Sequence, residues 1–184
     1  EPLGVPVVMT RADHASGTDR IAEVAEKRRE NIIVNVQGDE PLLPPECIDA
    51  TVKPLLEDEQ IQMSTACRNI TDPTWIENPN VVKVIRNQKG HAIYFSRSPI
   101  PYIRDAEQRQ NIEGIYLQHI GLYVYRREFL LHISKLPQTP LEKLEKLEQL
   151  RVLENGYSIA VVPTNYEALG VDTPEDLIHV EKIL

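Results

Sequence analysis

Residues 31–45 read NIIVNVQGDEPLLPP. Ile32, Ile33, Val34 and Val36 form a nearly continuous β-branched run, the pattern of a strand buried on both faces of a parallel sheet. Gln37, Gly38, Asp39 and Glu40 end it, and Pro41 cannot donate to a ladder. Gly38 offers an exit conformation that a Cβ would resist. Two carboxylates therefore stand past the carboxyl end of an expected central strand, where open α/β sheets bind ligands. Gly, Asp and Pro are also ordinary turn residues, and spacing alone leaves both readings open.

Composition sets the frame around this stretch. With 184 residues, 41% hydrophobic and 26% charged, the chain has the profile of one soluble globular domain, residues 1–184. No run resembles a membrane span or signal peptide, which makes the cytoplasm the expected compartment. Cys47 and Cys67 form no CxxC pair and read as small buried hydrophobes. A net charge of −8 disfavours nucleic-acid binding, which needs a basic surface. It leaves room for an anionic small molecule, since an arginine cluster or a divalent cation reverses the field inside a cleft.

Upstream, VPVVMT (5–10) is a strand candidate, followed by the polar turn RADHASG. Ser16 and Asp19 have capping-box spacing before a helix carrying Ile21, Val24, Ala25 and Arg28. Downstream, 44–58 predicts a helix entered at Pro45 and kinked or ended near Pro54, and 61–68 another strand. This alternation indicates a parallel α/β sheet. Two extended runs around NQKG (87–90) predict a hairpin. The stretch 103–116 is polar and aperiodic, a mobile-loop pattern. In QHIGLYVYRREFLLHI, Ile120, Leu122 and Val124 occupy the face expected in the core, and His119, Gly121, Tyr123 and Tyr125 the other.

TPLEKLEKLEQLRVLENG (139–156) predicts one helix, capped by Thr139 and Glu142, with Pro140 first and Asn155–Gly156 at its end. Leu141, Leu144, Leu147 and Leu150 form its expected buried stripe, while Glu142, Glu145 and Glu148 read as a solvated face. YSIAVVP is a strand, and ALGVDTPEDLIHVEKIL a short strand, a turn and a helix. Capping accounts for Thr173, Glu175 and Asp176 but not for Asp172. Asp39 and Asp172 thus both follow strands, and two such carboxylates are the usual protein share of a Mg²⁺ site.

RADHASGTDR, VNVQGDEP, YFSRSPIP, QHIGLYVYRREFL, LEKLEQLRVLENG and GVDTPEDL, in this order, resemble the 3-deoxy-manno-octulosonate (Kdo) cytidylyltransferase family, which makes CMP-Kdo. The resemblance implies an α/β nucleotidyltransferase fold of the GT-A type. That fold has a mainly parallel twisted sheet with flanking helices, and a smaller antiparallel lobe for sugar binding and dimerisation. It implies a Mg²⁺-dependent enzyme that transfers CMP from CTP to Kdo, releases pyrophosphate, and serves lipopolysaccharide biosynthesis as a homodimer. Asp39 and Asp172 match the metal ligands and catalytic carboxylates. Gln37, Arg97, His119, Tyr123 and Glu148 match positions that hold the sugar acid, with Arg97 facing its carboxylate. Arg11, Ser16, Gly17 and Thr18 match the turn facing the nucleotide, while Glu142, Glu145 and Lys146 keep the surface reading.

The family pattern also implies a strand and an Arg/Ser/Pro/Gly/Lys loop ahead of Glu1 that wraps the CTP triphosphate; a chain without it would lose part of its sheet. Two alternatives stay open on the sequence: another sugar nucleotidyltransferase of this fold, and a non-catalytic domain that kept the scaffold.

Overall fold

The computed structural model describes residues 4–14, 16–105, 107, 112–166, 171 and 174–182. The elements run α1 (Gly17–Glu26), β1 (Ile32–Asn35), α2 (Pro45–Glu57), β2 (Met63–Asn69), α3 (Thr74–Glu77), β3 (Lys83–Arg86) and β4 (Ala92–Ser96). They continue with β5 (Leu117–Arg126), α4 (Arg127–Ile133), α5 (Pro140–Glu145), α6 (Gln149–Glu154), β6 (Ala160–Pro163) and α7 (Pro174–Glu181). This is an α/β architecture with one mixed sheet and flanking helices.

The ten-residue β5 organises the sheet. One edge carries β2 along most of its length. The other edge is shared, with β1 pairing residues 123–126 and β3 pairing residues 117 and 118. All of these pairs are antiparallel, as is β3 with β4; β2 with β6 is parallel. Strands β1, β2, β3 and β6 consequently run one way and β4 and β5 the other. The expected parallel character holds for strand direction but not for neighbours, because β5 inserts between β1 and β2. The antiparallel hairpin β3–β4 is continuous with this sheet rather than a separate lobe.

Helix α2 covers one face, where Cys47, Ala66, Ile120 and Leu122 pack together. On the other face Ala22, Ala25, Met63, Phe95, Tyr125, Phe129, Leu130 and Leu150 form the larger core. Ile120, Leu122 and Val124 are all buried, as their alternation predicts. A third cluster, of Ile70, Ile76, Ile103 and Tyr116, closes one end. The rest of the polar stretch 103–116 lies partly outside the described residues.

Local chemistry explains most boundaries. Ser16 Oγ accepts from Asp19 N at 3.1 Å, which caps α1. Pro45 opens α2, which continues past Pro54 to Glu57. In the hairpin, Gly90 has φ +81° and its N–H donates to Asn87 O at 2.9 Å. The cysteines are buried, and burial raises both thiol pKa values.

Four expectations are corrected. Residues 5–10 form no strand; Val5, Val7 and Met9 are exposed, and no described backbone pairs with them. Strand β1 is half-buried, since its ladder to β5 covers only one edge. Gly38 has no left-handed φ, and a Cβ there would meet nothing within 4 Å.

The fourth correction concerns 139–156, which forms two short helices. Lys146 sits between them in the left-handed conformation, φ 55° and ψ 46°. Leu147 and Leu150 are buried, but Leu144 is 79% exposed. A strict three-residue spacing drifts by about 60° per step around a 3.6-residue helix, so four such leucines cannot share one narrow face.

Candidate active site

A cleft of about 320 Å³ opens where the N-terminus of α1, the end of β1, the middle of β5 and the α5–α6 turn meet. Among its lining residues are Gly17, Thr18, Asn35, Gln37, Tyr123, Lys146, Glu148, Gln149 and Arg151. It lies at the carboxyl end of β1, as the opening motif implies.

Glu148 joins two walls of this cleft. Its carboxylate accepts from the N–H groups of Gly17 and Thr18, each at 3.1 Å, and from the Thr18 hydroxyl. A carboxylate at the first turn of α1 satisfies two amides that have no intrahelical acceptor and meets the positive end of the dipole. Glu148 therefore belongs to no solvated face, and neither do its two neighbours in the acidic row. Glu142 is buried and takes both arms of Arg151, at 2.6 and 2.9 Å, while also accepting from Thr139 N at 3.1 Å. Arg151 reaches Asp19 of α1 at 3.5 Å as well. Glu145 accepts from Ser96 Oγ at 2.7 Å and Arg97 N at 2.9 Å. Three acidic side chains thus fix the α5–α6 turn against α1 and β4.

Arg97 is outside the cleft lining. Its Nε donates to Glu145 O at 2.7 Å and its Nη1 to Pro79 O at 2.9 Å, so two arms of the guanidinium hold backbone. Its own carbonyl accepts from Lys83 Nζ at 2.7 Å. The Lys83 ammonium also donates to Asn78 O and Val81 O, and burial lowers its pKa. Lys83, Arg97 and Glu145 form a chain of contacts that ends on the turn beside the cleft.

His119 is likewise behind the cleft rather than in it. Between Thr65 and Ala66 of β2 the register with β5 jumps, and two extra β5 residues, Gly121 and Leu122, bulge out. Thr65 fills this bulge. Its hydroxyl lies 2.8 Å from Leu122 O and 2.9 Å from His119 Nε2. A hydroxyl has one proton, so donation to Leu122 O leaves it to accept from a protonated Nε2. His119 packs edge-on to Phe95 and 5.4 Å from the Tyr123 ring, which does line the cleft. Gly121 in the bulge stands close to Gln37: a Cβ there would come within 3.3 Å of Gln37 Cγ.

Burial lowers the His119 pKa to about 3. In the unfolded chain the imidazole takes up a proton near its ordinary value of about 6.5. Between these values the unfolded state binds the extra proton, so this group's effect on stability is fully favourable above pH 6.5 and is lost as pH falls toward 3. Urea unfolding at a series of pH values should show this decline, and His119→Gln should flatten it.

Asp39 stands just beyond the cleft in the turn closed by Glu40 N to Gln37 O at 3.3 Å. It is exposed, and among the described residues no side chain pairs with its carboxylate. The Asp39 carbonyl accepts from Val171 N at 2.8 Å. Asp172 and Thr173 lie outside the described residues. An exposed carboxylate with no side-chain partner among the described residues is one donor that a hard divalent cation takes. No group of three or more metal-ligating side chains occurs among the described residues. Neighbouring Glu40 accepts from Tyr166 OH at 3.0 Å.

Of the residues matched to the nucleotide turn, Gly17 and Thr18 line the cleft, and Ser16 caps α1. Arg11 lies apart, 3.6 Å from Glu23 and 3.7 Å from Asp13. The sequence reading missed Asn35, Gln149 and Arg151. Gln149 is 3% exposed; its Oε1 accepts from Tyr123 OH at 3.1 Å, and its Nε2 is a buried donor with no partner among the described residues. The signal was a run of polar residues, Glu148, Gln149 and Arg151, set among buried leucines.

A family model described as cytidylyltransferase matches residues 1–159. The chain is 57% identical over 181 residues to a 3-deoxy-manno-octulosonate cytidylyltransferase of Solibacter usitatus, covering 98% of this chain and 70% of that protein. A protein of the same name from Syntrophotalea carbinolica is 54% identical over 184 residues, 97% of this chain and 73% of the relative. The chain belongs to the 3-deoxy-manno-octulosonate cytidylyltransferase family. It is a nucleotidyltransferase of the cytidylyltransferase type.

Solved structures agree. CMP:2-keto-3-deoxy-manno-octonic acid synthetase complexed with CTP superposes with a TM-score of 0.91 at 40% identity, over 99% of this chain and 73% of that one. The inositol-1-phosphate CTP transferase from T. maritima, at 15% identity and TM-score 0.60 over 92% of this chain and 61% of that one, shares the fold. Among the described residues no helix is long and apolar enough to cross a membrane.

Proposed function

We propose that this protein transfers CMP from CTP to Kdo, giving CMP-Kdo and pyrophosphate, with residues 1–184 acting as one nucleotidyltransferase domain. The observation that carries the reading is the buried donor of Gln149, without a partner among the described residues, in a cleft at the carboxyl end of β1 in a chain of this family. A polyhydroxylated acid offers acceptors to Gln149 Nε2 and Asn35, and both donors and acceptors to Gln37 and Tyr123. The sugar's anomeric hydroxyl forms a bond to the α-phosphorus as the bond to pyrophosphate breaks, so position and charge complementarity supply most of the rate. Gly17 and Thr18 serve the nucleotide side, with Ser16 capping their helix.

Asp39 and Asp172 would hold Mg²⁺, which neutralises phosphate charge when bound. Arg97 and His119 act here from behind the cleft: Arg97 by holding the Glu145 turn, His119 by fixing the bulge under Tyr123. Homodimer formation, cytoplasmic location and a role in lipopolysaccharide synthesis follow the family resemblance.

The test is an acceptor panel on the full-length protein with pyrophosphate release as readout. CTP with Kdo is expected to turn over. A preference for sugar 1-phosphates, or CTP binding without turnover of any acceptor, would support a different nucleotidyltransferase or a non-catalytic domain.

A further inference from the structure

We propose that Thr65 is a positioning residue for the acceptor side of the cleft, its hydroxyl fixing the β5 bulge that carries Tyr123 into the cleft wall; this rests on the function proposed above. Thr65 is fully buried in β2 and stands outside the cleft lining, so it acts through other residues. Its backbone lies opposite Tyr123, and the next pair along is Ala66 with Ile120. The register jump therefore falls at Thr65 itself. Where residues bulge, ladder bonding is lost, and a buried carbonyl needs another donor. The Thr65 hydroxyl lies 2.8 Å from Leu122 O and 3.2 Å from Ile120 O. One side-chain oxygen thus bridges the two carbonyls that flank Gly121 in the bulge.

The same oxygen lies 2.9 Å from His119 Nε2. With its own proton given to the carbonyls it accepts here, so the imidazole carries its N–H at Nε2 and the ring is held in one orientation. That ring is wedged between two strands, edge-on to Phe95 at the end of β4 with centroids 5.0 Å apart, and 5.4 Å from Tyr123 of β5. Tyr123 in turn donates to Gln149 Oε1 at 3.1 Å, and both line the cleft. The series Thr65, His119, Tyr123, Gln149 runs from the middle of the sheet to the residues given to the sugar acid, and every link is a hydrogen bond or a ring contact. Valine has nearly the shape of threonine but neither its donor nor its acceptor, whereas serine keeps both and lacks the methyl. Shape and hydroxyl therefore make opposite predictions.

The experiment compares Thr65→Ser, Thr65→Val and Thr65→Ala in the full-length protein, below the thermal midpoint of every variant. Kdo and CTP are varied in turn while pyrophosphate release is followed. For Val and Ala the KM for Kdo should rise about tenfold while that for CTP stays within about twofold, since a displaced hydrogen-bonding partner loses about that factor. Ser should stay within about threefold of the unmutated enzyme for both substrates, because both hydrogen bonds of the hydroxyl remain. A packing role alone gives the reverse order, with Val near normal and Ser impaired by its missing methyl. If Val does not fold, Ser against Ala decides, because both lack the methyl and they differ only in the hydroxyl. An unchanged KM for Kdo in Val and Ala overturns the assignment. So does a Ser variant as impaired as Ala, or a KM for CTP that rises as much as that for Kdo. If the unmutated enzyme is inactive on CTP with Kdo, the functional reading itself falls, and this proposal with it.

Discussion

Asp39→Asn is expected to lower pyrophosphate release from CTP and Kdo by about a hundredfold or more while leaving the fold intact. Asp39 is exposed and no described side chain pairs with it, so the substitution removes no contact that holds the domain together. What it removes is one negative charge where the proposed cation would neutralise the phosphates, and lost transition-state stabilisation of this kind costs about two to three orders of magnitude. In a simple turn, Asn serves almost as well as Asp. Melting curves with and without Mg²⁺ separate the two cases. The unmutated protein should be stabilised by the cation and the Asn variant much less so, with similar midpoints in its absence. Near-normal turnover by the variant contradicts the metal role of Asp39.

The largest expected effect on stability lies in the buried Arg151–Glu142 pair at the cleft wall. Arg151→Ala leaves the Glu142 carboxylate, 3% exposed, without its main partner and removes the tie to Asp19 of α1. Breaking such a pair from one side costs about 3–5 kcal/mol, mostly from the uncompensated buried charge. Urea unfolding should show the loss as a lower midpoint. The double variant Arg151→Met with Glu142→Gln should lose less than Arg151→Ala alone, because no charge is then stranded. An Arg151→Ala midpoint within error of the unmutated protein would mean that water already solvates Glu142.

Much of this was legible from local chemistry. The strand ahead of the Gln37–Glu40 turn, the Ser16 cap, the Pro45 helix start, the Gly90 hairpin and the burial of Ile120, Leu122 and Val124 each depend on residues close in sequence. What escaped the reading depends on distant partners. The direction of β5 between β1 and β2 is set by ladders spanning some fifty to ninety residues of chain, which no local period encodes. The acidic row at 142, 145 and 148 looked solvated because its partners, Arg151, Ser96, Arg97 and Gly17–Thr18, come from different elements. Arg97 matched the sugar-acid position by motif, yet its fork is turned to the carbonyls of Pro79 and Glu145. The break at Lys146 was available in principle, since a three-residue leucine row drifts around a helix.

The most direct test of the cleft as the acceptor site is the KM of Gln149→Leu for Kdo in the full-length protein. Leucine keeps approximate volume and removes a buried donor that has no partner among the described residues, so the thermal midpoint should change little, apart from the lost Tyr123 contact. The KM for Kdo should rise by about tenfold or more, because the donor meets its acceptor only when the sugar is bound. The KM for CTP should stay near its original value. An unchanged KM for Kdo, with the midpoint preserved, would contradict the placement of the sugar acid in this cleft.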